Sequence, residues 1–205
     1  MVDNTKLGVG LNGNCPKLAR LVNYWPIGML VLVIILIGTL NSEMQVRLRY
    51  ERNSILEDQQ YWRLLTAHLV HVDWRHTLLN VGALLLITVL FSDVYKAWQW
   101  LCVGLCTALG VDLGLLCLMP RLDWYVGLSG VLHGVLLAGA LGCWRINQRA
   151  MALTVMVVVF LKLFWEQWYG VLPLSTHMAV ITNAHVYGAL SGLLVSLVLR
   201  GIQSS

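Results

Sequence analysis

Charge is scarce in this sequence: Asp, Glu, Lys and Arg make up only 12% of its 205 residues. A water-soluble globular chain carries about 25%. Half that share, with 58% hydrophobic residues and a mean hydropathy of +0.71, points to lipid as the solvent. No tract of Lys or Arg is present, and the net charge of +4 is scattered. That excludes the basic surface needed to follow a phosphate backbone, and with it a nucleic-acid partner. No Cys-x-x-Cys pair occurs either. Of Cys15, Cys102, Cys106, Cys117 and Cys143, four lie in apolar runs, where cysteine acts as a small buried hydrophobe. A His-Glu-x-x-His helix, which would supply a zinc ligand pair with a base, is also missing. There is no internal repeat, and the length suits one compact domain.

What is present is a series of long apolar runs. A helix needs about 20 apolar residues to cross a hydrocarbon core of about 30 Å. By that criterion the chain is an all-α polytopic membrane protein with six spans, near 24–41, 72–91, 97–119, 125–144, 150–170 and 178–200. They form one domain over 24–200, between an N-terminal segment 1–23 and a short tail 201–205. The first span follows Lys6, Lys17 and Arg20, but it is long for a signal peptide and no A-x-A site follows, so it reads as an uncleaved anchor. Basic residues favour the cytoplasmic side. Lys6, Lys17, Arg20, Lys96, Arg145, Arg149 and Arg200 then place both termini in the cytoplasm. The segment 42–71 is the one long outer loop, and its mixed charged and aromatic character suggests folded interfacial structure.

Polar groups within a span are costly and by default mark function or a specific partner. The second span opens with His71, Asp73, His76 and Asn80, of which His76 and Asn80 share one helical face. The fourth opens Gly127-Leu-Ser129-Gly130-Val-Leu-His133-Gly134, and the sixth holds Ala184-His185-Val-Tyr-Gly188. Spans two, four and six run in the same direction. His76, Ser129 and His185 therefore fall at a common depth, about 5–12 Å from the outer end at 1.5 Å per residue. Gly130 and Gly134, like Gly188 and Gly192, are four apart and allow close helix approach. That approach would bring Ser129 to His185, the minimal activated nucleophile. His76, Asn80 and the Ser129 amide are candidate donors to an oxyanion.

Each element alone has a packing explanation; their shared depth and direction argue for chemistry. Asp112 and Glu166 are the acidic residues placed to lie within spans. Glu166 stands four residues after Lys162, so the two are expected to neutralise one another. The expected centre is thus a Ser–His dyad, with a Ser–Lys dyad as the lesser alternative. A metal site on His68, His71, His76, His133 and His185 is a third reading, of a different class.

Jointly these residues resemble the rhomboid family of intramembrane serine proteases. Trp62-Arg63 with Thr66, His71, His76 and Asn80 resembles its first loop and second helix. Gly127-Leu-Ser129-Gly130 resembles its nucleophile motif, and Ala184-His185-Val-Tyr-Gly188 with Gly192 its sixth-helix motif. The resemblance implies Ser129 as nucleophile, His185 as base, and His76, Asn80 and the Ser129 amide as the oxyanion hole. It implies no cofactor or metal. Its expected partners are the lipid bilayer and membrane-anchored protein substrates, cut near the outer, periplasmic face of a bacterial inner membrane. Two positions depart from the pattern. Ala67 stands where many bacterial members carry His, and His133 where an aromatic residue often stacks on the base. His133 could stack on His185 or hydrogen-bond to it, and with His71, Gly127, Gly130 and Gly188 it is expected to support the site. The stretch from Gly127 to Gly134 resembles the rhombosortase branch, whose substrates end in a Gly-Gly motif, an apolar helix and a basic tail. The alternatives are a general rhomboid protease with other single-pass substrates and a catalytically silent helix-binding relative. Resolution of the acyl-enzyme by water or by an amine stays open.

Overall fold

A computed structural model describes residues 25–171 and 180–203. The expected segment 1–23 with Lys6, Lys17 and Arg20, and the first residues of the span expected from 178, lie outside the described residues. The large helices are α1 (Trp25–Gly38), α5 (Trp74–Leu90), α6 (Ala97–Leu118), α7 (Ser129–Arg145), α8 (Arg149–Tyr169) and α9 (Thr182–Gln203). Between α1 and α5 the chain forms α2 (Ser42–Leu48), β1 (Tyr50–Glu51), α3 (Arg52–Leu56) and α4 (Trp62–Thr66). A short strand β2 (Trp124–Tyr125) precedes α7 and pairs antiparallel with β1, Tyr50 opposite Tyr125.

By length and composition, α6, α8 and the Thr182–Leu199 part of α9 are able to cross a membrane, while α1 and α5 are shorter apolar helices. The polarity is inverted relative to a water-soluble protein. Leu101, Leu105, Leu109, Phe160, Phe164 and Trp168 point outward, while His76, Asn80, Asp112, His133, Glu166 and His185 are buried. On α8 a single stripe, Ala152, Val159 and Glu166, turns inward at intervals of seven residues.

The central helix is α7, packed between α5, α6, α8 and α9. Its small residues determine how closely α9 approaches. A Cβ added at Gly188 would lie 1.9 Å from the Gly130 carbonyl oxygen, and one at Gly134 2.3 Å from that of Gly188. Neither distance is sterically possible, so only glycine permits this backbone contact.

The segment 42–71 is held by its own motif. The buried Arg63 guanidinium donates to the carbonyls of Val46 and Arg49 at 2.8 and 2.9 Å, and its Nε donates to Gln60. The Thr66 hydroxyl donates to the Leu48 carbonyl at 2.6 Å. Arg52 reaches the carbonyls of Leu115 and Leu116, where α6 has run out of amide donors. Beneath lies a small core of Tyr50, Ile55, Ala67, Val111, Leu115, Tyr125 and Ala184. It fixes the loop against the C-terminal end of α6 and the N-terminal end of α9, beside the polar cluster.

Candidate active site

The N-terminal ends of α5, α7 and α9 and the C-terminal end of α8 meet at one level. The expected span from 125 begins as strand, and the helix opens only at Ser129. His76 is the third residue of α5, Ser129 the first of α7 and His185 the fourth of α9. The helix that carries Ser129 starts later than expected, because pairing with β1 holds Trp124 and Tyr125 extended and delays it.

Ser129 Oγ lies 2.9 Å from His185 Nε2. On the other side of the ring, His185 Nδ1 lies 2.7 Å from Glu166 Oε2. An ionised carboxylate only accepts, so Nδ1 carries the proton and Nε2 is left to accept the serine hydroxyl. Glu166 Oε1 in turn accepts from Lys162 Nζ at 2.5 Å. The sequence predicts Glu166 paired with Lys162 alone and His185 without a carboxylate, whereas Glu166 binds both. The carboxylate has two oxygens, and the inward stripe of α8 aims the second at His185. That stripe was the available signal, since Phe160, Phe164 and Trp168 mark the opposite faces as outward.

His133, one turn after Ser129, stacks on His185 with ring centroids 4.2 Å apart and planes 18° from parallel. Its Nδ1 donates to the Ser129 carbonyl at 2.7 Å. Both expected roles point at His185, but the stack alone goes there, and the hydrogen bond goes to the backbone of Ser129.

His76 lies against the turn before Ser129. A Cβ at Gly127 would sit 2.9 Å from His76 Cε1, and Gly127 has φ +116°, so this position needs glycine twice over. Asp73 caps α5, accepting from the His76 amide at 2.7 Å, and so fixes the start of the helix that carries the ring. Asn80 is buried, and one of its amide N–H groups donates to the His76 carbonyl at 3.0 Å. His71 packs edge-on to His76 at 5.1 Å and donates to the Leu69 carbonyl. Burial, and to a lesser degree the nearby His76, push its pKa down to about 4, so it is neutral. Ser129 opens α7, so its amide has no intrahelical acceptor and points out of the helix end.

The five histidines of the metal reading separate. His71 pairs with His76, His133 with His185, and His68 lies edge-on to Tyr125 at 5.9 Å. Among the described residues, one group comes within ligating reach, His133, Glu166 and His185, whose donor atoms lie within 4.8 Å of one another. It does not fit a metal ion. The stacked imidazole planes send their lone pairs in parallel rather than convergent directions, and both ring nitrogens of His185 already have partners.

Chemically, the arrangement holds a hydroxyl and a base oriented by a carboxylate, with the His76 ring against the turn that leads to that hydroxyl. A family model described as Rhomboid domain matches residues 58–202. No curated protein matches the chain.

Proposed function

The chain belongs to the rhomboid family, the integral membrane proteases that act on substrates within the bilayer, and on that premise we propose that it is a serine endopeptidase with a Ser129–His185–Glu166 triad. The carrying observation is the unbroken relay of 2.9 Å from Ser129 to His185 and 2.7 Å from His185 to Glu166. As Ser129 Oγ attacks the scissile carbonyl carbon, its proton passes to His185 Nε2. The tetrahedral oxyanion accepts from the Ser129 amide and from His76 and Asn80. One such donor contributes about 3–4 kcal/mol to the transition state. Glu166 stabilises the imidazolium, which then gives its proton to the departing amine. The acyl group remains on Ser129 until a second nucleophile, activated by the same imidazole, releases it. Lys162 holds the far carboxylate oxygen and balances its charge in a low-dielectric setting.

On this reading α1 and α5–α9 make six crossings with both termini cytoplasmic, and the site opens to the periplasmic face of a bacterial inner membrane. The distribution of Lys96, Arg145, Arg149 and Arg200 supports that orientation. The Gly127–Gly134 stretch supports a substrate with a C-terminal Gly-Gly motif, an apolar helix and a basic end.

The test is a proteoliposome assay with such a tailed protein, read by mass spectrometry of the new C-terminus. Cleavage beside the Gly-Gly motif by wild type, and none by Ser129→Ala, is expected. Cleavage by Ser129→Ala overturns the nucleophile, and cleavage of other single-pass segments in preference overturns the substrate class. A wild type that neither cleaves nor reacts with a fluorophosphonate is a helix-binding relative instead.

A further inference from the structure

Behind the turn that presents Ser129 lies a second set of buried polar side chains that the proposed reaction does not use. Asp112 on α6 and His68, just after α4, approach to 3.2 Å (Oδ1 to Nε2), and both are almost fully buried. The contact is off the line that a hydrogen bond requires, and among the described residues neither of the two atoms has a hydrogen-bond partner. The His68 ring then meets Tyr125 edge-on, centroids 5.9 Å apart and planes at 70°. Tyr125 is buried, and its hydroxyl donates to the Gly127 carbonyl at 2.8 Å. That hydroxyl would also lie 3.2 Å from a Cβ at Gly130, so it sits across the turn on both sides of Ser129. Meanwhile the carbonyl of Ala67, the residue before His68, accepts from the Gly127 amide at 2.9 Å.

Gly127 is thus held at its carbonyl by Tyr125 and at its amide by the backbone beside His68. Its φ of +116° directs the chain into Ser129 two residues later. We propose that His68 and Asp112 are positioning residues for the nucleophile, acting through Tyr125 on the Gly127 turn. A pair kept only for stability would be better served by apolar side chains, because buried ion pairs usually contribute less than a well-packed apolar replacement. In a membrane span the cost of a lone carboxylate is higher still. A poorly bonded His–Asp pair retained against the back of the nucleophile turn therefore argues for a geometric role. It also accounts for Ala67: the imidazole one position later faces Asp112, while Ala67, fully buried, leaves its carbonyl to the turn.

This inference rests on Ser129 being the nucleophile. The test compares wild type, Tyr125→Phe, the paired variant H68L/D112L, and all three changes together. For each, kcat, KM, fluorophosphonate labelling rate and thermal unfolding are measured. The expected result is a fall in kcat of about 10- to 100-fold with KM unchanged, and labelling slowed by the same factor. Unfolding temperature should be unaltered or raised in H68L/D112L. The triple variant should be no worse than the worse of its parents, because all act through one turn. Tyr125→Phe removes a single oxygen and keeps the test alive if the paired variant does not fold. Unchanged kcat in the folded variants, or factors that multiply in the triple variant, would overturn the positioning role. An unlabelled wild type would overturn the serine-protease reading itself, and this inference with it.

Discussion

The α7–α9 pair holds two hydrogen-bonded serines, one toward each end, Ser129 half-buried and Ser196 fully buried, and they differ in what faces them. At the N-terminal ends of both helices Ser129 meets an imidazole backed by a carboxylate. At the other end Ser196, fully buried on α9, shares a hydrogen bond of 2.7 Å with the Tyr95 hydroxyl and accepts from Arg145 of α7 at its hydroxyl and carbonyl oxygens. Both clusters satisfy a serine hydroxyl and both join the same helices. A guanidinium cannot take a proton at any relevant pH, so the Ser196 cluster can only tie. An imidazole with one nitrogen held by Glu166 can accept, so the Ser129 cluster can react. Hydrogen bonding of a serine hydroxyl is common to both regions, and the presence of a base separates them.

The largest test of that contrast is Ser129→Ala, which should lower cleavage by at least about 10⁴-fold in a proteoliposome assay while leaving the unfolding temperature near wild type. Next is Glu166→Gln. An oriented imidazole loses about 10³- to 10⁴-fold in kcat when its carboxylate becomes an amide, whereas a simple Ser–His dyad would barely respond. Between the two clusters, Gly188→Ala sets a methyl against the Gly130 carbonyl. It should cost about 1–3 kcal/mol in stability, read by chemical denaturation in detergent, and reduce kcat because His185 lies on the adjacent turn. The smallest effect belongs to Ser196→Ala. It should cost about 1 kcal/mol with kcat unchanged, and a loss of turnover there would erase the distinction between the regions.

The apolar runs made the helices legible, because a lipid-facing surface leaves little choice of residue. Ser129, His185, His76 and Asn80 were legible for the converse reason, as polar groups amid such runs. The role of Glu166 was not. It is 19 residues from His185, and the relative register of α8 and α9 leaves no trace in either segment. Lys162, four residues earlier, supplied a nearby and sufficient partner. The late start of α7 was hidden similarly, because Trp124 and Tyr125 read as the apolar beginning of a span. What holds them extended is Tyr50, 75 positions away across the β1–β2 pair. Long-range pairing overrides local apolarity there, and so Ser129 sits at the helix terminus.

The measurement that tests the central claim most directly is peptide mapping of a fluorophosphonate adduct, timed in wild type, His185→Ala and Glu166→Gln. The account predicts one adduct, on Ser129, forming fastest in wild type and much more slowly in both variants. An adduct elsewhere, or one that forms on Ser129 at the wild-type rate without Glu166, would contradict it.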